Sequence, residues 1–155
     1  MTDILLIQPP IRDFYLTVKR TLPYGLSSIA AALTAKGYSV DILDALATSQ
    51  ARVRELPQEM SYLQPYYGQP DASPFALFHT YRHFGYSFDT IGERARASGA
   101  FLVGISSLFT PYMGDAIQTA EAVKAYQPDC KIVMGGHHPT ALPESVMQSS
   151  AVDFV

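Results

Sequence analysis

The chain has 155 residues, 48% of them hydrophobic and 16% charged, with a formal net charge of -3. That length fits one domain burying roughly two-thirds of its unfolded surface, and that composition excludes a disordered chain. No long run of either sign occurs, which argues against a nucleic-acid or anionic-membrane surface.

The single cysteine, Cys130, excludes an internal disulfide. Within Asp129-Cys130-Lys131-Ile132-Val133 it reads as a small buried thiol at the start of a strand. Met1-Thr2-Asp3 lacks a basic leader, and residues 4–7 are too few for a signal or membrane segment. A soluble, cytoplasmic protein is expected.

In chain order, Ile4-Leu5-Leu6-Ile7 is apolar at every position and is stopped by Pro9-Pro10. That is the pattern of a strand buried on both faces of a parallel sheet. After Pro23-Tyr24-Gly25, residues Leu26, Ile29, Ala30 and Leu33 recur at the spacing of one helix face, with Gly37 as a natural stop. Tyr38 to Leu43 follows at once as a second strand.

The stretch from Ala45 to about Ser87 breaks this rhythm. It holds Pro57, Pro65, Pro70 and Pro74 and the aromatics Tyr62, Tyr66, Tyr67, Phe75, Phe78, Tyr81, Phe84 and Tyr86. So many aromatics argue for packing and against a linker. Residues 45–87 are expected to be an insertion within a domain of residues 1–155, partly helical or poorly ordered, with several aromatics exposed.

Phe88 to Ser98 is the next expected helix, followed by a strand Phe101-Leu102-Val103-Gly104-Ile105 that ends at Ser106-Ser107. Pro111 sits in the first turn of a helix reaching about Gln127, with Met113, Ala116, Ile117, Ala120 and Val123 on one face. Lys131 to Met134 is a strand closed by Gly135-Gly136, Pro143 to about Ser149 a short helix, and Val152 to Val155 the start of another strand. The alternation predicts βαβ units with right-handed crossovers. The fold class is therefore α/β, a three-layer flavodoxin- or Rossmann-like doubly wound parallel sheet, truncated at its fifth strand. Its strands are expected near residues 3–8, 38–43, 101–106, 131–135 and 152–155, in spatial order 2-1-3-4-5.

In such sheets ligands bind beyond the carboxyl ends of the strands. Those ends are Gln8-Pro9-Pro10, Asp44, Ser106-Ser107 and Gly135-Gly136-His137-His138. Pro9-Pro10 supplies neither the glycines nor the backbone N–H groups of a dinucleotide or phosphate loop. Gln8 and Ser106 stand where a phospho-receiver needs acids. What remains is a mouth of small residues. Ser106 and Ser107 can donate and accept hydrogen bonds. Gly135 and Gly136 leave a strand end bare for a bulky ligand, or else only make a tight turn. Thr140 caps the following turn or meets the ligand. His137 and His138 cannot both point one way, so one reaches the ligand or both serve as cap and surface. His79 and His83, four apart, could meet on one helix face as metal ligands, but no third ligand stands nearby. No nucleophile–base pair is visible, so the chain alone is not expected to be catalytic.

Together these residues carry a resemblance. Leu6-Ile7-Gln8-Pro9-Pro10, then Pro23-Tyr24-Gly25-Leu26, Ala32-Leu33 with Gly37-Tyr38, Val103-Gly104-Ile105-Ser106, and Gly135-Gly136-His137-His138-Pro139-Thr140 with Pro143-Glu144 occur in this order. The series resembles the N-terminal cobalamin (B12)-binding domain of radical-SAM enzymes, over roughly residues 1–44 and 99–155. The resemblance implies a cobalamin against the strand ends, met by Pro10, Ser106, Ser107, Gly135, Gly136, His137, His138 and Thr140. It implies that methyl transfer or related radical chemistry belongs to a downstream radical-SAM domain of the same polypeptide, which holds an iron–sulfur cluster and S-adenosylmethionine. Cys130 alone cannot supply the Cys-x₃-Cys-x₂-Cys cluster motif. Nor is the Asp-x-His-x-x-Gly motif met, by which other cobalamin enzymes give cobalt a histidine. Asp13 lies near the right place, but Tyr15 takes the histidine's position. The cobalamin is thus expected without a histidine ligand from this chain, and no catalytic residue or metal ligand is assigned to it. The expected partners are that domain and the small-molecule cofactor, with no nucleic acid and no membrane. The alternative is a stand-alone flavodoxin-like binding or regulatory module.

Overall fold

A computed structural model describes residues 2–15, 22–65 and 80–155. In chain order its elements are β1 (Ile4–Gln8), β2 (Ile11–Asp13), α1 (Tyr24–Thr34), β3 (Val40–Asp44), β4 (Ala51–Val53), β5 (Arg82–Phe84) and α2 (Phe88–Ser98). Then follow β6 (Leu102–Ser106), α3 (Met113–Tyr126), β7 (Lys131–Gly135), α4 (His137–Ala141) and α5 (Pro143–Val146).

Four strands form a parallel sheet in the order β3-β1-β6-β7. Ile7 pairs with Leu43 on one side and Ile105 on the other, and Ile105 pairs with Met134. The segment 152–155 adds one parallel bridge, Val133 to Phe154, beyond β7. The peptide N–H groups of Asp153 and Phe154 both donate to the Ile132 carbonyl. The apolar runs explain the sheet, because Ile4, Leu5, Leu6 and Ile7 are all buried. Alternate side chains of β1 go to opposite faces. Leu5 and Ile7 join Val103, Ile105, Ile132 and Met134 in the core under α2 and α3. Ile4 and Leu6 meet Leu26 of α1 on the other face. α2 and α3 also pack on each other, closely enough that a Cβ on Gly92 would enter the Tyr126 ring. Ser87 caps α2 by accepting from the Thr90 N–H.

Two features depart from expectation. Residues 11–13, where no element was expected, form β2, and the stretch 45–87 contributes β4 and β5. These three short strands make a separate antiparallel sheet in the order β2-β5-β4. Three-residue strands are too short for an alternating pattern to stand out in sequence. Among the described residues of 45–87 the helical part is a 3₁₀ turn at Gln58–Leu63. Of its aromatics, Tyr81 and Phe84 are buried, Tyr86 is half-buried against the main core, and Tyr62 is exposed. Tyr66, Tyr67, Phe75 and Phe78 lie outside the described residues, as does His79. The second departure is α4, which begins directly after the Gly-Gly turn.

No helix among the described residues is long and apolar enough to cross a membrane.

Candidate functional site

A cavity of about 690 Å³ opens at the carboxyl ends of β1 and β6. Its floor is Gln8-Pro9-Pro10 and Ser106-Ser107, one side is the start of α1 at Leu22 to Leu26, and the other is the loop from Leu108 to Tyr112. Of the residues expected at the ligand, the structure brings Pro10, Ser106 and Ser107 together here. Leu22, Tyr24, Leu108 and Phe109 line the same cavity and remain largely exposed. This apolar rim was not foreseen. The signals for it are the Pro23-Tyr24-Gly25 run at a helix start and the aromatics that directly follow Ser106-Ser107.

One wall is held by polar groups that β2 brings against the start of α3. The Arg12 peptide N–H donates to Asp115 Oδ2 (3.0 Å), and its Nε donates to Oδ1 (2.5 Å). Burial pushes the Asp115 carboxyl above its ordinary range, and the Arg12 guanidinium pulls it back. The Tyr112 hydroxyl donates to Asp13 Oδ2 (2.5 Å), and the Tyr15 hydroxyl lies 3.3 Å from that of Tyr112. Both tyrosines line the cavity. Burial, and then the bond to Asp13, drive the Tyr112 phenol far above its ordinary range, so it stays protonated. Tyr15, which takes the histidine's position of the Asp-x-His-x-x-Gly motif, thus belongs to a phenol pair anchored on Asp13.

His83 is on β5, not on a helix. It is buried, with Nε2 2.9 Å from the Tyr86 carbonyl and its ring edge-on to Phe88. Burial pushes its pKa down. His83 therefore does not stand on a helix face: strand pairing with β2 and β4 fixes it as a core residue. Cys130 is buried, and burial raises its thiol pKa. No cluster of His, Cys, Asp or Glu among the described residues is placed to hold a metal.

The end of β7 is built differently. At Gly135 an added Cβ would meet nothing. At Gly136, φ is +123° and an added Cβ would overlap the Ser107 carbonyl. The second glycine therefore lets the chain's own backbone come close at this turn. Gly135, Gly136, His137, His138 and Thr140 are not in the cavity lining. His137 is exposed. His138 is 2% exposed, with Nδ1 3.1 Å from Thr110 Oγ1 and Nε2 3.2 Å from Ser145 Oγ. The Thr140 hydroxyl donates to the Gly136 carbonyl (2.8 Å) and closes the first turn of α4.

A parallel sheet whose strand ends floor a broad, mainly apolar cavity is the arrangement in which open α/β modules place their ligand sites. Residues 77–155, just over half of the chain, match the family described as B12 binding domain, and the chain belongs to that family. It is also similar to the cytidylyl-2-hydroxyethylphosphonate methyltransferase of Streptomyces wedmorensis, with 28% identity over 153 residues. That alignment covers 98% of this chain and 25% of the methyltransferase, so the chain spans about a quarter of that relative's length. No solved structure matches.

The residues present fit the family's cofactor. Ser107 Oγ is buried in the cavity floor and has no hydrogen-bond partner. An unmet buried hydroxyl costs about 1–3 kcal/mol, and turned toward the cavity it would be satisfied by the amides or nucleotide tail of a corrinoid. The apolar rim suits the hydrocarbon face of a large ring.

Proposed function

We propose that this chain is the cobalamin-binding domain of a larger radical-SAM enzyme, with the cofactor seated in the cavity at the ends of β1 and β6. The observation that carries the reading is the buried, unpartnered Ser107 hydroxyl in the floor of a 690 Å³ cavity. Family membership names the ligand class, and the methyltransferase relative supports methyl transfer as the parent reaction. Bound cobalamin would supply a cobalt centre able to carry a methyl group. This chain's residues would bind and orient the cofactor. Ser106 and Ser107 meet its amides or tail, Pro9-Pro10 presents a floor without N–H donors, and the rim of Leu22, Tyr24 and Phe109 excludes water from the ring. Tyr15 and Tyr112, tied to Asp13, would set the polarity of the wall. No imidazole is assigned to cobalt. The iron–sulfur cluster and S-adenosylmethionine are assigned to a downstream domain of the same polypeptide.

The test is a titration of the full-length protein with hydroxocobalamin, followed by the corrin's visible absorption, for the wild type and for Ser107→Ala. Saturable binding is expected in the wild type. The variant should bind about five- to tenfold more weakly, as for loss of one buried hydrogen bond, with its stability without ligand unchanged or slightly raised. No saturable binding by the wild type rejects the assignment. Equal binding by the variant moves the site away from Ser107. Iron and sulfide content after anaerobic reconstitution of the full-length protein checks the radical-SAM half of the reading.

A further inference from the structure

The buried histidine at the start of α4 is placed to shape this cavity without entering it. His138 has three anchors on three segments. Its peptide N–H donates to the Ser107 carbonyl at 3.3 Å. Its Nδ1 meets Thr110 Oγ1 at 3.1 Å and its Nε2 meets Ser145 Oγ at 3.2 Å. The proton positions follow from the outermost contact. Ser145 Oγ donates its proton to the Leu142 carbonyl (2.9 Å), so toward the ring it can only accept. With the Ser145 proton on the Leu142 carbonyl, a ring carrying one proton would hold it on Nε2 and accept at Nδ1 from the Thr110 hydroxyl. One polar chain runs from Thr110 through the ring to Ser145 and the Leu142 carbonyl.

The Thr110 end is the consequential one. Thr110 opens the 3₁₀ turn Thr110–Tyr112, and its neighbours Phe109, Pro111 and Tyr112 all line the cavity. The Ser145 end is on α5, behind the strand ends. A side chain that is 2% exposed and bonded at both nitrogens has little capacity left for a ligand. We propose that His138 is a positioning residue, a strut that ties the Thr110–Tyr112 segment to α5 and so fixes the cavity wall carrying Phe109 and Tyr112. This rests on the cobalamin reading above only for the identity of the ligand.

Two measurements on the full-length protein test it. The first is the long-range proton–nitrogen NMR spectrum of the histidines. For His138, Nδ1 should resonate as an unprotonated nitrogen and Nε2 as a protonated one. Thr110→Val, at an exposed position, should shift Nδ1 by removing its donor. A proton on Nδ1, or an Nδ1 unmoved by Thr110→Val, overturns the strut. The second measurement is hydroxocobalamin affinity, compared with thermal stability, for Thr110→Val, Ser145→Ala and His138→Ala. Thr110→Val should weaken binding about threefold and His138→Ala at least tenfold, at temperatures where circular dichroism shows both folded. Should His138→Ala fail to fold, Thr110→Val carries this arm. Wild-type affinity in folded variants whose melting temperature has dropped would make His138 merely structural and overturn the proposal. So would a wild-type corrin spectrum with imidazole on cobalt that is lost in His138→Ala. If the wild type does not bind hydroxocobalamin, the cobalamin reading fails, and the NMR arm still decides the strut.

Discussion

At the ends of β1 and β6 the chain leaves a cavity, whereas at the end of β7 it fills the neighbouring space with its own backbone. The first half starts from residues that look like obstacles, Pro9-Pro10 and two serines. The second starts from two glycines, which look like room. The outcome is reversed because each element's continuation decides it. Pro9-Pro10 turns the chain into β2, which pairs with β5 and docks on α3 through Arg12 and Asp115, so the chain leaves the floor open. After Gly136 the chain turns at once into α4, whose first residues lie against Ser107. A glycine thus marks a close approach without saying whether ligand or protein makes it.

The widest test of this contrast is the pair Gly136→Ala and Gly135→Ala. The first forces a Cβ into the Ser107 backbone at a φ of +123°, and should cost about 3 kcal/mol in urea unfolding. The second places a methyl in open space and should stay within about 0.5 kcal/mol. Equal losses would abolish the distinction between the two glycines.

A smaller effect probes the cavity side. Tyr112→Phe removes the bond to Asp13 and should cost about 1.5 kcal/mol. Because the Tyr112 phenol is held protonated far above its usual range, the phenolate absorbance gained between about pH 9 and 11 should be the same in wild type and variant. A clear drop in that signal on substitution would show that Tyr112 titrates normally and that the wall is looser than described.

The smallest effect lies beside β7. Asp153 pairs with Lys124 and Lys131, each at 2.9 Å, and accepts from the Ile132 N–H. The Lys124 and Lys131 bonds, the largest influences, hold its carboxyl well below the ordinary carboxylate range. A group whose folded pKa is depressed stabilises the protein above its unfolded pKa, and that contribution is lost as pH falls below about 4. Asp153→Asn should therefore cost about 1 kcal/mol at pH 7 and progressively less as the pH drops toward 3. A loss that does not shrink with falling pH would assign the effect to packing instead of charge.

Much of the frame was legible in the sequence because it rests on runs of one-dimensional pattern. Ile4 to Ile7, Leu102 to Ile105 and Lys131 to Met134 show as buried strands, and the α2 and α3 positions show as helix faces, through spacing alone. The antiparallel sheet was not legible. Its strands are three residues each and come from 11–13, 51–53 and 82–84, so their pairing depends on contacts far apart in the chain. Part of the cavity was legible: Pro10, Ser106 and Ser107 lie in it and Tyr24 stands within the Pro23-Tyr24-Gly25-Leu26 motif, whereas Leu22, Phe109 and Tyr112 complete it from positions outside any motif.

The sequence by itself determined the α/β alternation and the parallel sheet. Hydrophobic period and strand–helix order are local properties, and the handedness of the crossovers then leaves few topologies. Only the tertiary structure decided which strand ends stay open, that Gly136 serves Ser107, and that His138 turns inward to Thr110 and Ser145. Each of these depends on whether a neighbouring segment arrives in the same space, which the composition of either segment does not encode.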